Sequence, residues 1–251
     1  MEVNKAVIVT GAGSGIGKAT AKKFASKGFN VVLNGRTKSK LEAVSKEINA
    51  SNTLIVAGDV SKPADVKQLV ESTISKFKTI DILVNNAAIF VGGTIDKVSL
   101  EDWNKQLEVN VTGPYLMIKE TLPYLEKSKG NIVNVCSVSG LGGDWNAFAY
   151  DSTKGAIQLM TKALALDFAA KEIRINAVAP SLTDTDMGEG AMDDEEVMKE
   201  FKKRIAMGRA AKPEEIADVI AFLASEEARF VTGTILPVDG GLSASNGQPK
   251  L

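Results

Sequence analysis

Histidine is absent from this chain of 251 residues. Its absence excludes a Ser-His-Asp hydrolase, a zinc site with histidine ligands and a histidine proton shuttle. Acid–base chemistry near neutral pH must therefore come from a tyrosine, lysine, aspartate, glutamate or cysteine whose pKa the protein shifts. Cysteine is almost absent too. Because Cys136 is the only one, no internal disulfide can form, and we expect a reducing compartment.

The chain also lacks an excess of charge of either sign, a long apolar run and a signal-peptide pattern. It has 30 basic and 31 acidic side chains and no basic stripe, so nothing favours a nucleic-acid partner. No apolar stretch is long enough to cross a bilayer, and the first residues do not resemble a secretory leader. We therefore expect no membrane association and a cytoplasmic location. Hydrophobic residues make up 44% of the chain, enough for a sizeable core.

Short apolar runs alternate with longer segments of helical periodicity. The predicted strands are Ala6–Thr10, Val31–Asn34, Leu54–Ala57, Ile82–Asn85, Ile132–Ser137, Ile175–Ala179 and Ile235–Val238. The predicted helices are Lys18–Lys27, Ser39–Asn49, Pro63–Phe77, Leu100–Lys127, Tyr150–Lys171 and a segment from Pro213 to about Ser225. The strands are rich in Val and Ile and apolar on both faces, as in a parallel sheet covered on both sides. This alternation predicts an α/β protein with a doubly wound (Rossmann) parallel sheet and helices on both faces.

A single domain over residues 1–251 is expected, because no linker rich in Pro, Gly or Ser interrupts the alternation and no repeat is found. The tract 181–207 differs in being strongly acidic. Its acidic residues are Asp184, Asp186, Glu189, Asp193, Asp194, Glu195 and Glu196, and Gly188 and Gly190 lie among them. The tract follows a strand end, where open α/β sheets bind ligands. A lid over the site and an ordinary solvated loop both remain open.

A glycine-rich loop follows the first strand and opens a helix, with the sequence TGAGSGIG from Thr10 to Gly17. Glycines at this place let the backbone turn tightly and approach a pyrophosphate, which the helix N-terminus stabilises. The loop predicts a dinucleotide site. Its candidate contact residues are Gly11, Ser14, Gly15, Ile16 and Gly17.

The end of the second strand bears on which nicotinamide cofactor is bound. NAD-binding proteins usually place an acidic residue there to accept from the ribose 2′-hydroxyl. This chain has Asn34 and Gly35 followed by Arg36 and Thr37, which can bind a 2′-phosphate through a guanidinium and a hydroxyl. Ser14 argues mildly against NADP, because a basic residue there would add a second phosphate contact. We expect NADP(H), with NAD(H) as the alternative.

Tyr150 and Lys154 are four residues apart in a predicted helix, so their side chains share a face. An ammonium group near a phenol stabilises the phenolate, so we expect the Tyr150 pKa to fall toward neutrality. Ser137 lies at the end of a strand just before this helix and can donate to a substrate carbonyl. A helix or turn cap is the structural alternative for Ser137. Asn110 interrupts an apolar helical stretch, and a water held between it and the Lys154 region would form a proton path.

Taken together, these motifs resemble the short-chain dehydrogenase/reductase family, in its single-domain branch of about this length. The resemblance runs from Thr10–Gly17 to the Val-Asp-Gly-Gly sequence at residues 238–241. It includes Asp59, the Asn-Asn-Ala sequence at residues 85–87, and the residues Asn110, Ser137, Tyr150 and Lys154.

The resemblance implies a nicotinamide-dependent oxidoreductase acting on a carbonyl or secondary alcohol. Tyr150 would be the general acid and base, Ser137 would polarise the carbonyl, and Lys154 would bind the nicotinamide ribose, with Asn110 anchoring a water relay. It also implies cofactor contacts from Asp59, Val60, Asn86, Pro180, Thr183 and Thr185, and no metal. Two residues depart from the family pattern. Ala88 and Ser181 replace glycines, which puts cofactor affinity and lid motion in question.

The partner is expected to be a small-molecule carbonyl or alcohol. Trp145, Phe148, Leu141 and Met187 can line an apolar pocket or pack in the core. One alternative is a 3-oxoacyl thioester reductase, whose acidic carrier protein would need a positive surface. Its candidate residues are Lys199, Lys202, Lys203, Arg204 and Arg209. A more distant alternative is a non-catalytic protein that senses the nicotinamide ratio.

The long predicted helices 100–127 and 150–171 carry more apolar residues than one sheet face can cover. Similar family members pair such helices across two-fold axes, so the resemblance implies a homotetramer or, failing that, a dimer. A monomer with fuller internal burial is the alternative.

Overall fold

The computed structural model describes residues 5–48, 52–188 and 192–248. Its strands form one parallel sheet in the order β3-β2-β1-β4-β5-β6-β7. The strands are β1 Ala6–Val9, β2 Asn30–Gly35, β3 Thr53–Ala57, β4 Ile82–Asn85, β5 Asn131–Val135, β6 Arg174–Pro180 and β7 Ile235–Val238. The predicted strands are therefore confirmed, with ends that differ by one or two residues. Pro237 lies in the edge strand β7, where a residue without an N–H is tolerated.

Helices cover both faces of the sheet, as predicted for a doubly wound fold. They are α1 Gly15–Ser26, α2 Lys38–Glu47, α3 Pro63–Phe77, α4 Leu100–Leu107, α5 Gly113–Ser128, α6 Phe148–Phe168, α7 Glu195–Arg204 and α8 Pro213–Leu223. One buried cluster joins α1, α2 and α8 to the sheet and includes Phe24, Leu41 and Ile220. The other joins α3, α5 and α6 and includes Leu69 and Met117. Both faces of the strands are apolar because each face carries its own core.

The segment predicted as one helix over 100–127 is instead two helices joined by a π-helical turn at Glu108–Thr112. The sequence supplies a reason. Pro114 has no N–H, so the carbonyl of Asn110 lacks the donor four residues later that an α-helix would provide. The turn places Asn110, which is 2% exposed, against the start of α6. A wider turn of this kind is frequent at functional sites.

Strand order reverses between β1 and β4, and the carboxyl ends of these strands and of β5 and β6 lie at one edge of the sheet. Open α/β sheets bind ligands in the crevice at such a reversal. The acidic tract 181–207 follows β6 at this edge and contains α7, which the sequence did not predict as a helix. Residues 189–191, which include Glu189 and Gly190 of the predicted lid, lie outside the described residues.

Among the described residues, no helix combines the length and apolar character needed to cross a membrane.

Candidate active site

A cleft of about 1100 Å³ opens at the carboxyl ends of the strands. The predicted site residues that line it are Gly11, Ser14, Gly15, Ile16, Arg36, Thr37, Asp59, Val60, Asn86, Ser137, Tyr150, Lys154, Pro180, Thr183 and Thr185. Gly17 and Asn110 lie behind this surface rather than on it. The fold thus brings residues from six strand ends into one cavity.

The glycine-rich loop is closed tightly against itself and against Asn86. Gly11 and Gly15 have left-handed φ angles of 64° and 49°, which favour glycine. A Cβ at Gly17 would collide with the carbonyl of Gly11, so this position also requires glycine. The Asn86 side chain donates to the carbonyl oxygens of Thr10, at 2.9 Å, and Gly11, at 3.3 Å. The loop therefore presents the N-terminus of α1 to the cleft, as a pyrophosphate site requires.

The loop after β2 leaves two positions open to the cleft. Asn34 is 2% exposed and donates to the carbonyls of Val56 and Gly58, so its amide is committed to the fold. Gly35 offers no side chain. Arg36 and Thr37 are exposed at the edge of the cleft. A guanidinium and a hydroxyl are thus the side-chain groups that this turn presents to a cofactor.

Asp59 and Val60 follow β3 on the same side of the cleft. The Asp59 carboxylate accepts hydrogen bonds from the Ser61 N–H at 2.9 Å and the Ser61 hydroxyl at 2.8 Å. Partial burial opposes ionisation, but these bonds and the nearby charge of Arg36 outweigh it and lower the pKa of Asp59. Val60 is 6% exposed and packs close to Gly113. This acid is therefore ionised and fixed beside the cleft.

Ser137, Tyr150 and Lys154 meet in the centre of the cleft. Ser137 follows β5, and the tyrosine and lysine lie in the first turns of α6, where their spacing puts them on one face. The Ser137 hydroxyl lies beside Tyr150, whose pKa it lowers, and donates to the Ser139 hydroxyl at 3.0 Å. The Lys154 Nζ lies 5.4 Å from the centre of the Tyr150 ring and donates to the Val135 carbonyl at 2.9 Å.

The expected lowering of the Tyr150 pKa by Lys154 is wrong for the protein by itself. Burial raises the pKa of Tyr150 above its ordinary value, the neighbouring Cys136 adds to this, and the Ser137 hydrogen bond only partly offsets it. Burial likewise lowers the pKa of Lys154 to about 8. The physical reason is desolvation, which disfavours the charged form of each group. The sequence spacing showed that the two groups are close but not how deeply they are buried.

Asn110 is held by the protein rather than left open for a water. Its Nδ2 donates to the Ile89 carbonyl at 2.8 Å and to the Thr153 hydroxyl at 3.1 Å, and its Oδ1 accepts from the Ile89 N–H at 2.8 Å. The side-chain amide of Asn110 thus connects the loop that follows β4 to helix α6. The Asn110 backbone carbonyl is a further acceptor here, because Pro114 has no N–H to give it the α-helical hydrogen bond.

The segment after β6 brings two threonines to the cleft. Thr183 is 6% exposed and donates to the Ser181 carbonyl at 2.9 Å, and the Thr185 side chain packs against Gly15. Ser181, one of the two departures from the family pattern, donates to the Asp239 carbonyl at 3.1 Å. This bond ties the base of the predicted lid to the residue that follows β7. Ala88, the other departure, lines the cleft directly.

The predicted aromatic pocket is only partly formed. Trp145 and Met187 line the cleft, and Trp145 is 98% exposed. Phe148 instead stacks on Trp103, with ring centres 5.8 Å apart and planes 13° apart, so it belongs to the packing. Leu141 is 37% exposed and lies outside the cleft lining. The alternative of packing in the core thus fits Phe148, two residues line the cleft, and Leu141 does neither.

Several lining residues were missed by sequence reasoning. Phe90 packs edge-on against Tyr150, with ring centres 5.2 Å apart. Helix α7 contributes Glu196, Val197, Glu200, Phe201 and Arg204. The position of Phe90 a few residues after β4 was an available signal, because loops at the carboxyl ends of parallel strands form the site. The sequence of helix α7 gave no such signal, because it is mostly charged and Val197 and Phe201 form no recognisable apolar pattern.

The sequence was compared with protein families and with known proteins. A family model described as enoyl-(acyl carrier protein) reductase matches residues 11–243. A meso-2,3-butanediol dehydrogenase from Serratia marcescens is 44% identical over 248 residues, covering 99% of this chain and 98% of that protein. The chain belongs to the short-chain dehydrogenase/reductase family.

Solved structures agree with this membership in the family. A 3-ketoacyl-(acyl-carrier-protein) reductase from Brucella melitensis, in complex with NADH, has a TM-score of 0.91 and 38% identity, covering 97% of this chain and 100% of that one. A levodione reductase has a TM-score of 0.92 and 32% identity, covering 97% and 99%. The resemblance deduced from the motifs is confirmed. This family member is an oxidoreductase with a single-domain α/β fold, and it uses a nicotinamide cofactor.

Proposed function

We propose that this family member is a short-chain alcohol dehydrogenase or carbonyl reductase in which Tyr150 is the general acid and base. The observation that carries the proposal is the convergence of Ser137, Tyr150 and Lys154 in the cleft that the glycine-rich loop enters. A hydroxyl donor, a phenol and a buried ammonium are the groups needed to move a proton onto or off an alkoxide. With an intact set of this kind, the non-catalytic sensor is not favoured.

The residues of the loop suit a dinucleotide, since the close approach at Gly11 and Gly17 leaves backbone where a side chain would fill the cradle. The bound nicotinamide supplies or accepts the hydride. In carbonyl reduction, Ser137 donates a hydrogen bond to the substrate oxygen, and Tyr150 transfers its proton to the same oxygen. In alcohol oxidation, Tyr150 accepts that proton. Lys154 donates to Val135, and its remaining N–H groups are available to the ribose.

We further propose NADP(H) as the preferred cofactor, with NAD(H) as the alternative. Arg36 and Thr37 are exposed at the edge of the cleft, and Gly35 provides no carboxylate to accept from a ribose hydroxyl. Lys40 also lines the cleft and adds a second cation on this side, although it is paired with Asp186 at 3.0 Å. A guanidinium with a neighbouring ammonium favours a 2′-phosphate.

A Gly35→Asp variant should shift the ratio of kcat/KM for NADPH over NADH toward NADH by about tenfold to a hundredfold, since one charge-assisted hydrogen bond has this effect. The carboxylate accepts from the ribose and repels the phosphate. A Cβ at position 35 meets only the Leu41 side chain, at 3.4 Å, so the site can accommodate the change. Gly35→Asn is the matched control without the charge. If the unmodified enzyme already prefers NADH, the argument from Arg36 is wrong.

The proposed substrate is a small or medium uncharged ketone or secondary alcohol. Trp145, Met187 and Phe90 give the outer cleft an apolar lining. The relatives include an enzyme named for butanediol and another named for levodione, both small molecules. A panel of ketones and alcohols, followed by NADPH consumption or formation, tests this proposal directly. Turnover of none of them, with the cofactor bound, would contradict it.

A 3-oxoacyl thioester reductase is the alternative, and the Brucella melitensis relative bears such a name. The positive surface that it would need is largely neutralised here. Lys199 pairs with Glu196, Lys203 with Glu200, and Arg209 with Glu215. A thioester carried by an acidic protein would meet little net charge at this helix. Adding a 3-oxoacyl thioester to the substrate panel distinguishes the two functions, because only a thioester reductase should prefer it to the small ketones.

We also propose that the segment 181–207 serves as a lid within one domain that spans the chain. None of the described residues of α7 is buried, although Val197 and Phe201 face the cleft. Because this helix buries so little of its surface, moving it away from the cleft should require little free energy. Ser181, bonded to Asp239, would mark the fixed end of such a lid.

The protein is expected to be a homotetramer or, failing that, a dimer. Leu159 and Leu166 on α6 are 66% and 82% exposed, and Tyr115 on α5 is 48% exposed. Exposed apolar residues on two long helices favour burial between copies of the chain. Light scattering at micromolar concentration should give a multiple of the 26.6 kDa chain mass. A monomeric mass there would contradict the proposal.

A further inference from the structure

The carboxylate of Asp144, which the proposed reaction does not use, lies in the part of the cleft next to Ser137 and Tyr150. Asp144 lines the cavity together with Ser137, Ser139 and Tyr150. Its Oδ2 accepts a hydrogen bond of 2.5 Å from the Ser139 hydroxyl. Ser137 in turn donates to Ser139 at 3.0 Å. Asp144 is therefore two hydrogen bonds from the hydroxyl that is proposed to hold the reacting oxygen.

The position of this carboxylate is fixed by its loop. The Asp144 N–H donates to Asp151 Oδ2 at 2.8 Å, which ties the loop to the start of α6. Two residues later, the Asn146 carbonyl accepts from the Gly93 N–H at 2.7 Å, and Asn146 has a left-handed φ of 57°. The loop backbone is thus held from both sides, and the Ser139 hydroxyl holds one oxygen of the exposed carboxylate at the cleft.

Asp144 also lacks a compensating charge. Among the described residues, no lysine or arginine forms an ion pair with it, and no hydrogen bond reaches its Oδ1. Its charge opposes ionisation of Tyr150 and so works against the proposed proton acceptor. Asp144 is exposed, so its Oδ1 is an acceptor open to the cleft and can receive a hydrogen bond from a donor on the substrate.

We propose that Asp144 is a specificity residue that accepts a hydrogen bond from a hydroxyl on the carbon next to the reacting carbon. The substrates are then vicinal diols in the oxidative direction and α-hydroxy ketones in the reductive direction. The inference rests on the proposed function, because it assumes that Ser137 and Tyr150 bind the reacting oxygen. An oxygen one carbon further along would then reach Oδ1. The same carboxylate repels anionic substrates, so 2-hydroxy acids should be turned over less well than neutral diols.

The test compares substrates that differ by one hydroxyl, 2,3-butanediol and 2-butanol, within the same enzyme preparation. The unmodified protein should favour the diol in kcat/KM by about tenfold to a hundredfold, as expected for a hydrogen bond to a charged group. In Asp144→Leu that ratio should fall to about one. Asp144→Asn keeps an acceptor oxygen without the charge and should retain part of the preference. Because the readout is a ratio, partial loss of folded protein does not alter it.

Two further variants separate specificity from stability of the loop. Ser139→Ala removes the anchor of the carboxylate and should reduce the diol preference less than Asp144→Leu does. Asp218→Leu makes the same substitution at an exposed acid of α8 outside the cleft lining and should leave the ratio unaltered. An equal fall for both substrates in Asp144→Leu would show a purely structural role and overturn the proposal. Turnover of alcohols with no dependence of the ratio on Asp144 would do the same while leaving the proposed function intact. No turnover of any alcohol would contradict the proposed function itself.

Discussion

A Tyr150→Phe variant is expected to lose about 10²- to 10⁴-fold in kcat, the usual contribution of a positioned general acid or base. Its affinity for the nicotinamide cofactor should stay close to that of the unmodified protein. The substitution removes the phenol oxygen and leaves the ring, which packs edge-on against Phe90. Only the transferable proton is lost, so the effect should fall on turnover rather than on binding.

Steady-state kinetics with a ketone, together with a cofactor titration followed by fluorescence, would measure both quantities. The chain offers a matched control in Tyr124→Phe, which removes the same atom from a tyrosine of α5 that is not part of the cleft lining. That control should keep full activity. Retention of more than a few per cent of kcat in Tyr150→Phe would show that another group transfers the proton.

The sequence predicted the sheet well because burial on both faces produces a pattern that can be read locally. Runs such as those of β1 and β4 have few alternatives once helical segments separate them. The glycine-rich loop was equally readable, since Gly17 permits no side chain at all. Both depend on short-range constraints, which the order of residues records directly.

Other features depend on contacts between distant parts of the chain. Phe90 meets Tyr150, and Ser139 meets Asp144, only after the strand ends converge. The depth at which Tyr150 is buried is likewise a property of the whole fold, and this burial reversed the expected direction of the Tyr150 pKa. The π-helical turn is different, because Pro114 was visible in the sequence and could have predicted the break.

The pH dependence of alcohol oxidation should follow the shared proton of Tyr150 and Lys154. Burial lowers the pKa of Lys154 to about 8 and raises that of Tyr150 above its ordinary value. The proton lost near pH 8 therefore comes mainly from Lys154, and the minor form with a phenolate and a charged lysine, which carries the same number of protons, reaches its full population over the same pH range. Oxidation needs that deprotonated form, so its rate should rise with pH and level off above about 8.

Carbonyl reduction has the opposite requirement. It uses the form in which the pair still carries both protons, so its rate should be flat below pH 8 and fall above it. The two profiles should therefore bend at a common pH and in opposite directions. Measuring kcat/KM for one alcohol and its ketone over pH 6 to 10 tests this expectation.

Lys154→Met should move the rising limb of oxidation to above about pH 10, the ordinary pKa of a tyrosine, because Tyr150 then titrates alone and burial raises its pKa. The change should also weaken cofactor binding. A limb that stays near pH 8 in this variant would assign the titration to another group.

Cys136 is the competing group, since it lies next to Ser137 and its thiol donates to the Lys154 carbonyl at 3.2 Å. Burial raises the pKa of Cys136, which places its ionisation above the limb that we assign to the pair. In Cys136→Ala the limb should therefore keep its position near pH 8. With no histidine in the chain, few other groups can titrate in this range. Disappearance of the limb in Cys136→Ala would mean that the thiol, and not the tyrosine–lysine pair, controls the reaction.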